Sequence, residues 1–229
     1  MNITLEFVRK KTGIIFLNNY KTVRKFIVDS NLTSLIKNEY DGLNWYGKIN
    51  SDLSKYNKLI KFYYNYVDMP LFKGYQKKFW HKLSDNYLEC EKVVSHYKNV
   101  WPKNFFVPAH GDLTLSNVIF RKQSSPIIID WENFTKKTYF WGYDLSYFLI
   151  STIALPSIFS KENKIDLHEL LNFEKLWNKA FEKKFEQKKI INFFKKQFGT
   201  IFKFRKLKNY YPNLLNSYKI KQIEEIIYN

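Results

Sequence analysis

Three side chains able to handle a proton or a hard cation sit close together mid-chain: Asp112, Asn117 and Asp130. The first two belong to His110-Gly111-Asp112-Leu113-Thr114-Leu115-Ser116-Asn117, and the third to Ile127-Ile128-Ile129-Asp130-Trp131-Glu132. Between them lie Val118-Ile119-Phe120 and the polar stretch 121–126. Two short apolar, β-branched runs around such a turn predict a β-hairpin. Asp112 and Asn117 then sit on the loop entering the hairpin and Asp130 at its exit, so the three converge at one end of a small ribbon. Asp and Asn also serve as turn residues, and an isolated Asp-x-x-x-x-Asn would read that way. Occurring together with His-Gly-Asp, the hairpin and Ile-Asp-Trp-Glu, they fit a chemistry instead. Phosphoryl transfer needs a carboxylate near the attacking hydroxyl and oxygen ligands that hold Mg²⁺ on nucleotide phosphates.

Protein kinases use the same five-residue offset from Asp to Asn, followed by a later Asp. The block resembles the aminoglycoside phosphotransferase and choline kinase-like branch of the kinase superfamily, whose signature runs His-Gly-Asp-x-x-x-x-Asn and then Ile-Asp-Trp. The resemblance implies an α+β, bilobal, protein kinase-like fold. Residues 1–68 would form a short β-rich N-lobe, and residues 69–229 a mainly helical C-lobe. It also implies ATP and Mg²⁺ as cofactors and an alcohol group as acceptor. By resemblance, Asp112 matches the catalytic base, Asn117 and Asp130 the Mg²⁺ ligands, and His110 the histidine that props the loop. Asp144, in Trp141-Gly142-Tyr143-Asp144-Leu145, matches an aspartate that accepts hydrogen bonds from the catalytic-loop backbone. A helix N-cap is the plain alternative there.

The elements that must position these residues are readable in outline. Residues 3–8 and 14–17 are β-like runs around Arg9-Lys10-Lys11-Thr12-Gly13, and residues 22–28 read as a third strand. Ser30 or Asn31 then caps a helix running to about Gly47, with Leu32, Leu35, Ile36, Tyr40 and Leu43 on one face. Val23, Lys25 and Ile27 share a strand face. A kinase needs a strand lysine for the phosphates and a helix glutamate to orient it. The resemblance points to Lys25 and Glu39, with Arg24, Lys21 and Glu6 as competitors. Only Gly13 stands in the first hairpin, where kinases place a glycine-rich loop.

Residues 58–66 form a β-like aromatic run that ends at Asp68-Met69-Pro70. By resemblance, Tyr66, Val67 and Asp68 offer backbone groups to the nucleotide base, with the lobe boundary near Met69. Residues 79–97 have helical spacing, and His81 and His96 read as surface histidines. The apolar stretch 139–159, too short in its clean part to span a bilayer, reads as a buried helix. From Asp130 to Asp144 there are only 14 residues. That leaves no room for an activation loop and peptide platform, so a small-molecule or glycan hydroxyl is the expected acceptor. Residues 167–198 show an aromatic helical stripe (Leu170, Phe173, Trp177, Ala180, Phe181) backed by lysines.

The composition belongs to a globular protein, with 45% hydrophobic and 26% charged residues. Cys90 is the lone cysteine, which excludes a disulfide framework and predicts a reducing, cytoplasmic setting. Residues 1–7 do not read as a signal peptide. The net charge of +17 calls for an anionic partner: nucleic acid, a membrane face or an acidic substrate. No recognised nucleic-acid motif accompanies it. Beyond Leu145 there are 16 Lys and Arg against eight Asp and Glu. That sign suits an anionic sugar, glycan or lipid-linked saccharide better than a cationic drug, with peripheral contact to the inner face of a membrane. The alternative from another class is a nucleotide-binding pseudokinase that acts as an adaptor.

Overall fold

The computed structural model describes residues 4–8, 12–17, 21–78, 81–104, 106–160 and 167–182. Strands β1 (Thr4–Val8), β2 (Thr12–Leu17) and β3 (Thr22–Ile27) form an antiparallel meander. Helix α1 (Thr33–Ile49) follows, then a short turn α2 (Ser51–Ser54). Strands β4 (Lys61–Tyr63) and β5 (Tyr66–Pro70) complete a five-stranded sheet of order β1-β2-β3-β5-β4. Asp29 starts the helical segment, its side chain accepting from the Asn31 amide, one residue earlier than the sequence suggested.

Helix α1 buries Ile36, Glu39, Gly42, Leu43, Tyr46 and Gly47. This is the i, i+3, i+4, i+7 stripe of an amphipathic helix, and its one acid is the informative member. The helix lies on β3 and β5 and against residues 131–133. Its approach to that last segment is very close. A Cβ on Gly42 would lie 2.7 Å from Trp131 Cβ and 3.0 Å from Phe134 Cβ, so only glycine fits.

Two expectations change in this region. The aromatic run 58–66 is not one strand, because β4 and β5 turn at Tyr64-Asn65 and pair with each other. Tyr66, Val67 and Asp68 therefore lie inside the sheet, with β3 on one side and β4 on the other. Their backbone groups belong to the ladder, and Asp68 also holds Arg24 bidentately at 2.7 and 2.8 Å. The chain leaves the sheet after Pro70, with the Leu71 amide donating to the Lys21 carbonyl. The connecting segment is thus 71–74 rather than 66–68.

Strand β6 (Tyr75–Gln76) pairs with β8 (Val118–Phe120), which pairs with β9 (Ile127–Ile128). The expected hairpin is present, with Val118 opposite Ile128 and Ile119 opposite Ile127. Between them come α3 (Tyr87–Val100) and β7 (Phe106–Ala109). Strand β10 (Thr135–Phe140) pairs with β7, so Tyr139 and Phe140 are strand residues, and the buried helix α4 (Tyr143–Ser160) starts after them. Helix α5 (Leu167–Phe181) packs on α3 and α4 and buries Leu170, Phe173, Leu176, Trp177 and Ala180. His96 is not a surface residue. It lies on the buried face of α3 beside Val93 and Tyr97 and meets the Tyr46 hydroxyl at 2.7 Å. Its pKa falls to about 4, because burial disfavours the cation. His81 is exposed.

The core centres on rings. Trp131 is fully buried and stacks near Trp101 (6.3 Å, 13°), and Trp101 stacks on Tyr97 (4.3 Å, 16°). Tyr46 of α1 lies 5.1 Å from Trp131. The residue after Asp130 is thus locked into a wall of aromatic area, where each ring buries roughly 150–250 Å². Among the described residues, no helix is long and apolar enough to cross a membrane.

Candidate active site

Four charged side chains from three separated segments meet at one point. Lys25 Nζ lies 2.8 Å from Glu39 Oε2 and 3.2 Å from Glu132 Oε2, and it contacts Asp130 Oδ1. Lys25 is buried and Glu39 is 1% exposed. Burial alone would lower the Lys25 pKa, but the charges of Glu39, Asp130 and Glu132 outweigh it and raise it, so the ammonium persists. Burial pushes Glu39 up while Lys25 pulls it down. Of the competing cations, Arg24 points to the opposite sheet face and pairs with Asp68, and Lys21 is exposed in the turn. Glu6 lies on β1, two strands from β3.

The loop entering the hairpin is held from behind by the first turn of α4. Asp144 accepts hydrogen bonds from the amides of His110 (2.8 Å) and Gly111 (3.1 Å). A fully buried carboxylate is tolerable only with such donors. Even so, burial lifts its pKa to about 6 against the pull of the two amides. Gly111 has φ 86°, and a Cβ there would stand 2.5 Å from the Asn133 carbonyl oxygen. Both facts require glycine.

His110 links the loop to the strand carrying Asp130. Its Nδ1 accepts from the Asp112 amide at 3.2 Å, and its Nε2 donates to the Ile129 carbonyl at 2.9 Å. That pair of roles defines a neutral tautomer. Burial, its largest influence, drives the pKa down to about 4 and keeps the ring neutral. His110 also sits edge-on to Trp131 at 4.5 Å.

Asp112 is the carboxylate facing this cluster. Its pKa rises to about 6, first through burial and then through the charges of Asp130 and Glu132. Hydrogen bonds from Tyr147 and Asn117 oppose the rise. A carboxylate that titrates near 6 can accept a proton at neutral pH and is a better base than an exposed one. Asn117 Nδ2 donates to the Asp112 carbonyl at 2.8 Å, which orients the amide so that Oδ1 could serve as a ligand atom. Asp130 adopts the left-handed conformation, φ 66° and ψ 58°. Asp tolerates it better than most residues, and strained positions of this kind gather at functional sites.

Among the described residues, no group of three or more His, Cys, Asp or Glu side chains forms a protein-only metal cage. Mg²⁺ does not need one, since it takes one or two carboxylates plus substrate phosphates and waters. Asp130 with the Asn117 amide is a donor set of that kind.

The structure brings Lys25, Glu39, Asp112, Asn117, Asp130, His110 and Asp144 into one connected network, and it leaves Tyr66, Val67 and Asp68 outside it. Two participants had no assignment from sequence. Glu132 stood within Ile-Asp-Trp-Glu, where its two-residue offset from Asp130 was the available signal. Tyr147, whose hydroxyl donates to Asp112 Oδ1 at 3.0 Å, is 35 positions away and offered none. The basic residues from Lys183 to Lys208 lie outside the described residues.

No family model matches the chain, and no curated protein matches it. Among solved structures, a similar one is the GDP complex of wild-type aminoglycoside 2'-phosphotransferase-IIIa. The match covers 99% of this chain and 91% of that chain, at 10% identity and a TM-score of 0.38. What this chain can do is decided by its own side chains.

Proposed function

We propose that this chain is a phosphotransferase that uses Mg²⁺ and ATP to phosphorylate a hydroxyl group. The observation that carries the reading is the buried Lys25 ammonium, gripped by Glu39 and Asp130 within the same charge cluster as Asp112. A structural ion pair needs two partners; three carboxylates on one buried lysine, beside a fourth whose pKa is raised, exceed that need. They suit a site where a bound cation takes up the negative charge and frees the lysine for phosphate oxygens. Asp112 takes the proton of the acceptor hydroxyl as that oxygen bonds to the γ-phosphorus. The bond from phosphorus to the ADP oxygen breaks, and ADP leaves with its electron pair. Lys25, held in place by Glu39, donates to the phosphate oxygens. Mg²⁺, held by Asp130 and Asn117, would supply charge neutralisation on the phosphates.

On this reading Asp130→Ala should weaken Mg²⁺-dependent ATP binding by about 10-fold or more, and Asn117→Ala should do so less, because a neutral amide is the weaker ligand. Calorimetric titration of Mg·ATP checks this. Unchanged affinity in folded Asp130→Ala would place the metal elsewhere. ATP turnover with a hydroxyl acceptor separates the enzyme from a nucleotide-binding adaptor, which would bind Mg·ATP without turning it over.

The acceptor side of the proposal is an anionic sugar or glycan, or a lipid-linked saccharide at a membrane face. It rests on the excess of lysine and arginine beyond Leu145. Raising salt should then increase the acceptor's KM more than that of ATP, because exposed charges are screened within about 8–10 Å at physiological ionic strength. Equal salt responses, with a neutral or cationic acceptor preferred, would remove the anionic reading.

A further inference from the structure

The first two turns of α4 grip three consecutive residues of the catalytic loop. Asp144 holds the amides of His110 and Gly111. One turn later, the Tyr147 hydroxyl donates to Asp112 Oδ1 at 3.0 Å. The other carboxylate oxygen, Oδ2, has an approach of 3.5 Å from Asn117 Nδ2, at the outer limit for a hydrogen bond. Asn117 spends its better geometry on the Asp112 carbonyl, at 2.8 Å. The two oxygens of Asp112 are therefore unequal, Oδ1 anchored by Tyr147 and Oδ2 held at most weakly by Asn117.

We propose that Tyr147 is a positioning residue for phosphoryl transfer, its hydroxyl fixing the Asp112 carboxylate so that Oδ2 is the oxygen presented to the acceptor hydroxyl. The inference rests on the phosphotransferase reading of this site. A phenol suits the task for two reasons. It has one proton to give, so it anchors one oxygen and cannot occupy both. It is also uncharged, so it leaves the carboxylate able to accept a proton, which a cationic partner would oppose. Tyr147 is 5% exposed, and a buried phenol needs some acceptor. A core tyrosine satisfied by the nearest oxygen is the plain alternative, and it makes different predictions.

The test is Tyr147→Phe, read as a split between turnover and nucleotide affinity in the full chain. Without the anchoring hydroxyl, kcat should fall about 10-fold while the KM for ATP stays within about twofold. Replacing Tyr147 by 3-fluorotyrosine, which keeps a hydroxyl donor of nearly the same shape, should hold kcat within about twofold of wild type. That variant keeps the test decisive if Tyr147→Phe misfolds. A normal kcat in folded Tyr147→Phe, or a 3-fluorotyrosine chain slowed about 10-fold, overturns the proposal. A wild-type chain that transfers no phosphate to any hydroxyl acceptor overturns the phosphotransferase reading itself, which the variants alone cannot do.

Discussion

Asp112→Asn is expected to cut phosphoryl transfer by about 100-fold or more, the usual worth of a positioned general base, while leaving Mg·ATP affinity within about twofold. The substitution keeps the shape and the Tyr147 contact but removes the proton acceptor. The wild-type pH profile carries the complementary signature. Because Asp112 is raised to about 6, its active, ionised form is lost as pH falls through that value. Thus kcat/KM should rise from pH 5 to pH 7 and then level off, and in Asp112→Asn this limb should vanish from the residual rate. A folded Asp112→Asn protein with full activity would show that another group takes the proton.

The second large effect is on stability. Lys25→Met removes the ammonium between Glu39, Asp130 and Glu132 and leaves Glu39 uncompensated at 1% exposure. Breaking a buried pair from one side costs about 3–5 kcal/mol, which for a domain of this size lowers Tm by roughly 6–20 °C. The loss should depend on pH, with a definite sign. Without Lys25, burial holds the folded-state pKa of Glu39 above its unfolded value, so the native state binds the proton more tightly. Lys25→Met should therefore be less destabilised at pH 5 than at pH 8. Adding Glu39→Met should recover much of the stability without restoring nucleotide binding. Urea unfolding of the single and double variants at the two pH values decides the matter. A Lys25→Met protein as stable as wild type at pH 8 would show that the pair is not buried in solution.

How far the site could be read from the residues follows from how local each signal was. Asp112, Asn117 and Asp130 lie on one hairpin, where β-branched runs and a polar turn specify register over a short span. Lys25 and Glu39 needed the sheet order and the helix packing; the resemblance pointed to the pair, and the apolar face read for the helix did not include Glu39, which the structure buries. Tyr66 to Asp68 misled because a run of aromatic residues such as Phe62-Tyr63-Tyr64 suits one long strand as well as two short ones. The turn at Tyr64-Asn65 has no glycine or proline to mark it. His96 looked like a surface residue because its polarity outweighed its place on the α3 stripe beside Val93 and Tyr97, where a buried tyrosine satisfies it. Tyr147 was illegible for a different reason. A tyrosine in an apolar helix reads as core, and only tertiary packing brings its hydroxyl to a carboxylate 35 residues back.

Gly42 sets a mechanical limit on this machinery. It stands three residues after Glu39 on α1, where even a methyl group would collide with Trp131, and Trp131 is the neighbour of Asp130. The helix that supplies one grip on Lys25 and the segment that supplies the other are pressed backbone to ring, with no slack to push inward. Swinging the helix outward would strip a face of Trp131 and open a void inside the ring stack, a cost that scales with the empty volume. Glu39 and Asp130 therefore travel together, like two jaws cut from one block. Rotating this helix away from its lysine would have to meet that cost, so the packing favours a lysine clamp that stays set.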